Sequence, residues 1–140
     1  MTVKTATFHD LEGTSVYVTG GGSGIGADIT DAFMAQGAKV AFIGRSDARD
    51  FVAEMEAKHG VAPLFFQGDI SDTARLKETI EAAAAAHGPV QTLVSNAAND
   101  KRHNWLELSP NEWDSLLAVN LKAYFFAAQM VAPGMIEKQA

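Results

Sequence analysis

The sequence predicts an α/β fold, a doubly wound parallel sheet with its strands in the order 3-2-1-4. Three observations carry that expectation. Short apolar runs alternate along the chain with stretches whose apolar residues recur at helical spacing. A glycine-rich turn, Thr19-Gly20-Gly21-Gly22-Ser23-Gly24-Ile25-Gly26, joins the first run to the first helical stretch. The 140 residues suit one domain with a real core, and 47% of them are hydrophobic.

Residues 1–12 lead in, with Phe8 and Leu11 expected beneath the first strand and Gly13 turning the chain into it. That strand is Ser15-Val16-Tyr17-Val18, apolar and partly β-branched. After the glycine turn, Ile25, Ile29, Ala32 and Phe33 share a helical face as far as Gln36, and Gly37 stops the helix. Lys39 to Ile43 is the second strand. Ser46 or Asp47 caps a helix that runs to Lys58 and ends at Gly60. Pro63 to Gln67 is the third strand, and Gly68-Asp69 turns the chain. Ser71 or Asp72 caps the next helix, which takes in the alanine run 82–86 and stops at Gly88-Pro89. Thr92 to Ser95 is the fourth strand. A long polar loop, Asn96 to Ser109, follows, and loops of that length in compact domains are usually functional. Ser109-Pro110-Asn111-Glu112 is a capping box with proline at the first helical position. Trp113, Leu116, Leu117, Asn120, Leu121 and Tyr124 lie at helical spacing beyond it.

Composition narrows the function. A net charge of −6 without long Lys/Arg runs argues against nucleic acid as a partner. The chain has no cysteine, which removes disulfides and thiolate metal sites and fits a reducing cytoplasm. The N-terminus shows no basic segment followed by an apolar run. Ala123 to Met135, the longest apolar candidate for a membrane span, is interrupted by Gln129, Pro133 and Gly134. A single His103 near Asp100 makes no metal site. These features predict a cytoplasmic protein with no metal, membrane or nucleic-acid partner.

The glycine turn is where chemistry enters. Backbone N–H groups at a strand-to-helix turn, with the helix dipole behind them, favour a bound phosphate. Gly20, Gly24 and Gly26 form Gly-x-x-x-Gly-x-Gly directly off the strand. The alternative register, Gly22, Gly24 and Ala27, starts too far from the strand end. At the end of the second strand, where an acid normally holds a ribose 2′-hydroxyl, the chain reads Gly44-Arg45-Ser46. A guanidinium there suits a 2′-phosphate.

The glycine turn, Asp69-Ile70 after the third strand, Asn96-Ala97-Ala98 after the fourth, and Asn120 in Val119-Asn120-Leu121 occur in one order. Together they resemble the N-terminal part of a short-chain dehydrogenase/reductase, with its Rossmann-like fold. The resemblance implies that Gly20, Ser23, Gly24, Ile25 and Gly26 cradle a pyrophosphate. It implies that Asp69 meets the adenine amino group and Ile70 packs on the ring. Asn96 and Ala97 would lie along the cofactor, and Asn120 would hold a water in the proton relay. Arg45 and Ser46 are the remaining cofactor contacts. The cofactor is NAD or NADP, and Arg45 tilts the reading towards NADP. Ala98 departs from the usual glycine.

The long loop is also similar to that of bacterial aldose 1-dehydrogenases of this family, in Asn99-Asp100-Lys101-Arg102-His103 and in Val131-Ala132-Pro133-Gly134-Met135. That likeness implies a sugar oxidised at its anomeric hydroxyl, with Asn99, Asp100 and His103 as substrate contacts. The family's chemistry also needs a Tyr followed four residues later by Lys, with a Ser upstream. Tyr17 is followed by Gly21 at that spacing and Tyr124 by Ala128, so neither qualifies. The resemblance therefore predicts one dinucleotide-binding domain over residues 1–140, stopping before a fifth strand. Such a piece would bind cofactor without turnover, and self-associate through Phe125, Phe126 and Met130. The complete enzyme would be a homo-oligomer. The rival readings are a ketone reductase of the same family, such as one acting on 3-oxoacyl thioesters, and a non-catalytic nucleotide-binding module.

Overall fold

The computed structural model describes residues 6–139. Four parallel strands, β1 (Ser15–Thr19), β2 (Lys39–Gly44), β3 (Leu64–Gln67) and β4 (Thr92–Ser95), pair in the order β3-β2-β1-β4. Helices α1 (Gly24–Ala35), α2 (Arg49–His59) and α3 (Thr73–His87) connect them. Beyond β4 a long helical run comprises α4 (Pro110–Leu117), a π segment (Ala118–Lys122) and α5 (Ala123–Lys138). The sheet order and the strand–helix alternation are those expected from the sequence.

The central strands are buried on both faces, as parallel sheets require. Alternation along β1 and β2 still sorts their side chains. Tyr17, Ala41 and Ile43 pack with Leu76, Ile80 and Ala83 of α3 and Ala123, Ala127 and Val131 of α5. Val16, Val18, Val40 and Phe42 pack on the opposite face, with Met34 of α1 and Met55 of α2. Phe42 stacks on Phe65 at 5.1 Å between ring centroids and meets Phe51 edge-on at 5.9 Å. β4 is only half-buried because it borders the sheet.

Several local expectations need correction. Phe8 is 56% exposed and does not lie under β1. The short 3₁₀ turn His9–Leu11 follows it, and its N–H is held by Gln36 Oε1 at 2.8 Å. Neither Ser46 nor Asp47 is the residue before α2. Ala48 holds that place because its methyl is buried beneath the glycine turn, and Asp47 instead accepts from the Arg49 N–H at 3.0 Å. Asp72 caps α3, accepting from the N–H groups of Ala74 and Arg75. The Ser109–Glu112 capping box forms with Pro110 in the first turn.

Gln129, Pro133 and Gly134 do not interrupt the last helix. α5 runs through them, with Pro133 inside it as a residue that supplies no N–H to the helix ladder. Gly134 sits against Pro89, where a Cβ would come within 3.0 Å of the proline ring. By length and composition alone, Pro110–Lys138 could therefore cross a membrane. Here Ala123, Ala127 and Val131 are buried against the sheet, while Phe125 and Ile136 of the same helix are exposed.

Candidate functional site

The carboxyl ends of all four strands open on one cavity of about 400 Å³. Its floor is the glycine turn. Gly20 takes φ +72° and donates its N–H to Ile43 O at 2.7 Å, which ties the turn to β2. A Cβ on Gly26 would fall 1.9 Å from Gly20 O and 2.7 Å from Asn96 Nδ2. A Cβ on Gly21 would strike Phe42 at 2.6 Å, and one on Gly22 would strike Ala48 at 2.9 Å. These glycines are demanded by the protein's own packing. Gly24 differs: its φ is +52°, and a Cβ there would meet nothing within 4 Å. Thr30 Oγ1 donates to Gly21 O at 2.9 Å and pins the turn from α1.

The start of α1 is chemically open. Ser23 precedes the helix in extended conformation and makes no capping bond, and the first turn holds no acid. The positive end of the helix dipole thus faces the cavity without a protein anion to neutralise it. Ile25, 74% exposed, adds an apolar rim. This arrangement fits a pyrophosphate.

The other walls come from the remaining strand ends. After β2, Arg45 and Ser46 line the cavity, and Gln67 Nε2 fixes Arg45 O at 3.0 Å. After β3 come Asp69 and the buried Ile70. Asp69 accepts from Ser71 N–H at 2.9 Å and from its hydroxyl at 2.8 Å. The Ser71 N–H, helped by the Ser71 hydroxyl and the nearby Arg45 charge, holds the Asp69 carboxyl below its ordinary range. Asp47 also borders the cavity, and its carboxylate is gripped by Arg49 Nη2 at 2.6 Å.

After β4, Asn96 and Ala97 lie against the glycine turn. Their N–H groups both donate to Thr19 Oγ1, at 3.0 and 3.1 Å. Asn96 Nδ2 donates to Thr19 O at 3.1 Å and Gly20 O at 3.2 Å. Asn120 lies in the π segment, outside the lining, with its carboxamide paired to both main-chain groups of one loop residue. Asn99 N–H donates to Asn120 Oδ1, and Asn120 Nδ2 donates to Asn99 O, both at 2.8 Å. Tyr124 OH donates to Ala97 O at 2.9 Å.

Of the residues singled out in the sequence, Gly20, Ser23, Ile25, Gly26, Arg45, Ser46, Asp69, Ile70, Asn96, Ala97 and Asn99 line the cavity together. Gly24 sits beside them in the turn. Asp100 and His103 do not line it: His103 Nδ1 faces Glu112 Oε1 of α4 at 3.6 Å. The sequence assigns no site role to Thr19, Phe42, Val119 or Tyr124, yet Phe42 and Val119 line the cavity and Thr19 and Tyr124 bond its walls. The buried aromatic of β2 was the one available signal for the room that Gly21 and Gly22 must leave.

A family model described as short chain dehydrogenase matches residues 14–140. The chain belongs to the short-chain dehydrogenase family. Among curated relatives, it is 41% identical to a probable galactose dehydrogenase, GalD, of Rhizobium meliloti, covering 96% of this chain and 54% of that protein. It is 40% identical to the D-xylose 1-dehydrogenase of Caulobacter vibrioides, covering 95% of this chain and 52% of that protein. A metagenomic short-chain oxidoreductase, solved in complex with NADP, superposes with a TM-score of 0.85 at 32% identity, over 92% of this chain and 58% of that one. The chain thus spans about half the length of the curated relatives it matches. A short chain dehydrogenase from Burkholderia cenocepacia, 32% identical over 89% of this chain and 51% of that one with a TM-score of 0.82, is likewise solved in complex with NADP.

Proposed function

We propose that these residues form the cofactor-binding half of an NAD(P)-dependent aldose 1-dehydrogenase. The cavity at the strand ends carries the reading: it joins an uncapped helix N-terminus to a glycine floor with open space before Gly24. Ser23, Ile25 and the amides of the turn would hold the pyrophosphate. Asp69, Ile70, Arg45 and Ser46 would hold the adenosine end, with the Arg45 guanidinium favouring a 2′-phosphate and hence NADP. The nicotinamide would supply the hydride acceptor. In the reaction the sugar C1–H bond breaks with its electron pair, the anomeric O–H gives up its proton, and a lactone C=O forms. Asn99, Asp100 and His103 would meet the sugar on the loop side. A carboxamide oxygen has two lone pairs, and Asn99 N–H takes one at Asn120, so Asn120 keeps an acceptor for a water of the proton relay. Tyr, Lys and Ser for that relay would come from outside these residues, in a cytoplasmic homo-oligomer.

The first test is the intact mass of the natural polypeptide, followed by assay of that polypeptide with galactose, xylose and arabinose and both cofactors. A mass well above 14.9 kDa and lactone formation are expected. Reduction of 3-oxoacyl thioesters without aldose oxidation would replace the reading. That second reading has one observation in its favour, since Asp100 and His103 stand outside the cavity lining.

A further inference from the structure

β4 ends at Ser95, and the wall formed by Asn96 to Asn99 belongs to no strand. Something other than the sheet ladder must hold it. Thr19 Oγ1 fixes its first two N–H groups from β1. Asn120 fixes Asn99 from the helical side. Between these anchors, Ala97 O accepts from the Tyr124 hydroxyl at 2.9 Å, across 27 residues of chain. Tyr124 packs its ring against the core cluster that includes Tyr17 and Ile43, so the hydroxyl is delivered from a supported side chain.

Asn120 and Tyr124 are four residues apart on the helix, and the residues they bond, Asn99 and Ala97, are two apart on the wall. The π segment lies at this junction, with Ala123 N–H bonded back to Ala118 O.

We propose that Tyr124 is a positioning residue of the cleft, whose hydroxyl fixes the Asn96–Asn99 wall for the nicotinamide nucleotide of the bound cofactor. The proposal rests on the cofactor reading above. The adenosine end, with Arg45, Asp69 and Ile70, has no hydrogen bond to Tyr124 among the described residues and does not depend on it.

The test is Tyr124→Phe in the full chain, which keeps the ring and removes the hydroxyl. Binding of NADH and NADPH is measured beside binding of ADP, which shares only the adenosine and pyrophosphate. Dinucleotide dissociation constants should rise about three- to tenfold, the weight of one hydrogen bond. ADP affinity should stay within about twofold, because Tyr124 bonds the wall at Ala97 and none of Arg45, Asp69 and Ile70. Equal losses for ADP and dinucleotide, or no loss for either, would overturn the proposal. Hydrogen exchange of the Ala97 to Asn99 amides supplies an independent reading. Faster exchange confined to that wall in Tyr124→Phe supports the clamp, and unchanged exchange rejects it. Should the wild-type chain bind neither dinucleotide nor ADP, the cofactor reading fails, and exchange still decides whether Tyr124 holds the wall.

Discussion

Replacing Gly26 with alanine should unfold the glycine turn, whereas the same change at Gly24 should not. At Gly26 the new methyl would sit 1.9 Å from Gly20 O, against the 3.4 Å at which ordinary contact begins, so 3.4 − 1.9 = 1.5 Å must be recovered. Gly20 cannot yield freely. Its N–H is bonded to Ile43 O at 2.7 Å, and its carbonyl accepts from Asn96 Nδ2 at 3.2 Å. Asn96 is itself 2.7 Å from the added methyl. Releasing two or three such bonds at about 1 kcal/mol each, with some backbone strain, gives a loss of about 3 kcal/mol or more. That is a large part of a typical domain stability of about 5–15 kcal/mol. At Gly24 the methyl meets nothing within 4 Å and the cost is that of φ +52° alone, about 1–2 kcal/mol. Urea denaturation of both variants checks the difference. Since m is about 2 kcal/mol/M for a chain of this size, the two midpoints should lie roughly 1 M apart. Equal midpoints would refute the assignment of Gly26 to packing and Gly24 to the open side.

Tyr17→Phe should be milder than Thr79→Val. The Thr79 hydroxyl donates to Leu76 O at 2.9 Å, so in the 2.7 Å contact Tyr17 is the donor. Tyr17→Phe leaves that donation intact and should cost about 1 kcal/mol, while Thr79→Val strands a buried Tyr17 hydroxyl at about 1–3 kcal/mol; thermal melts that rank them the other way would reverse the donor assignment. His87 has a buried Nδ1 without a partner, and burial, with the Lys39 charge second, depresses its pKa. The folded state then binds the proton less tightly than the unfolded one, so stability should fall as pH drops below about 6.5, and His87→Gln should flatten that part of the profile. Ser109→Ala removes a cap that Glu112 reciprocates and should lower stability by about 1 kcal/mol in chemical denaturation, with α4 fraying first in hydrogen exchange.

The sheet and most element ends were legible because local chemistry and packing agree there. Apolar runs fell into strands, and Gly37, Gly60 and Gly88 ended helices at positive φ. The glycine register was legible from distance alone, since Gly20 follows β1 directly. What escaped depended on partners remote in sequence. Ala48 displaced Ser46 and Asp47 before α2 because its methyl lies beneath Gly22, and nothing within residues 44–50 announces that. Phe8 looked like core by composition, but a side-chain contact to Gln36 sets its backbone. The π segment was invisible as periodicity, because Asn120 keeps a helical place while its side chain bonds a loop 21 residues earlier.

A cleft built from strand ends has a structural problem that this chain solves in one recurring way. The ladder bonds stop at Thr19, Gly44, Gln67 and Ser95, just where the walls must be most exact. The walls after β2 and β4 are then held by side chains from other elements bonding main chain. Gln67 holds Arg45 O. Thr19 holds the Asn96 and Ala97 N–H groups. Asn120 and Tyr124 hold Asn99 and Ala97. Such bonds join segments already fixed by the core, so each adds little to global stability but removes freedom from one wall. Binding then has less ordering entropy to overcome. It follows that Gln67, Asn120 and Tyr124 should alter ligand affinity more than folding, whereas Gly21, Gly22 and Gly26, which pack against the protein itself, should do the reverse.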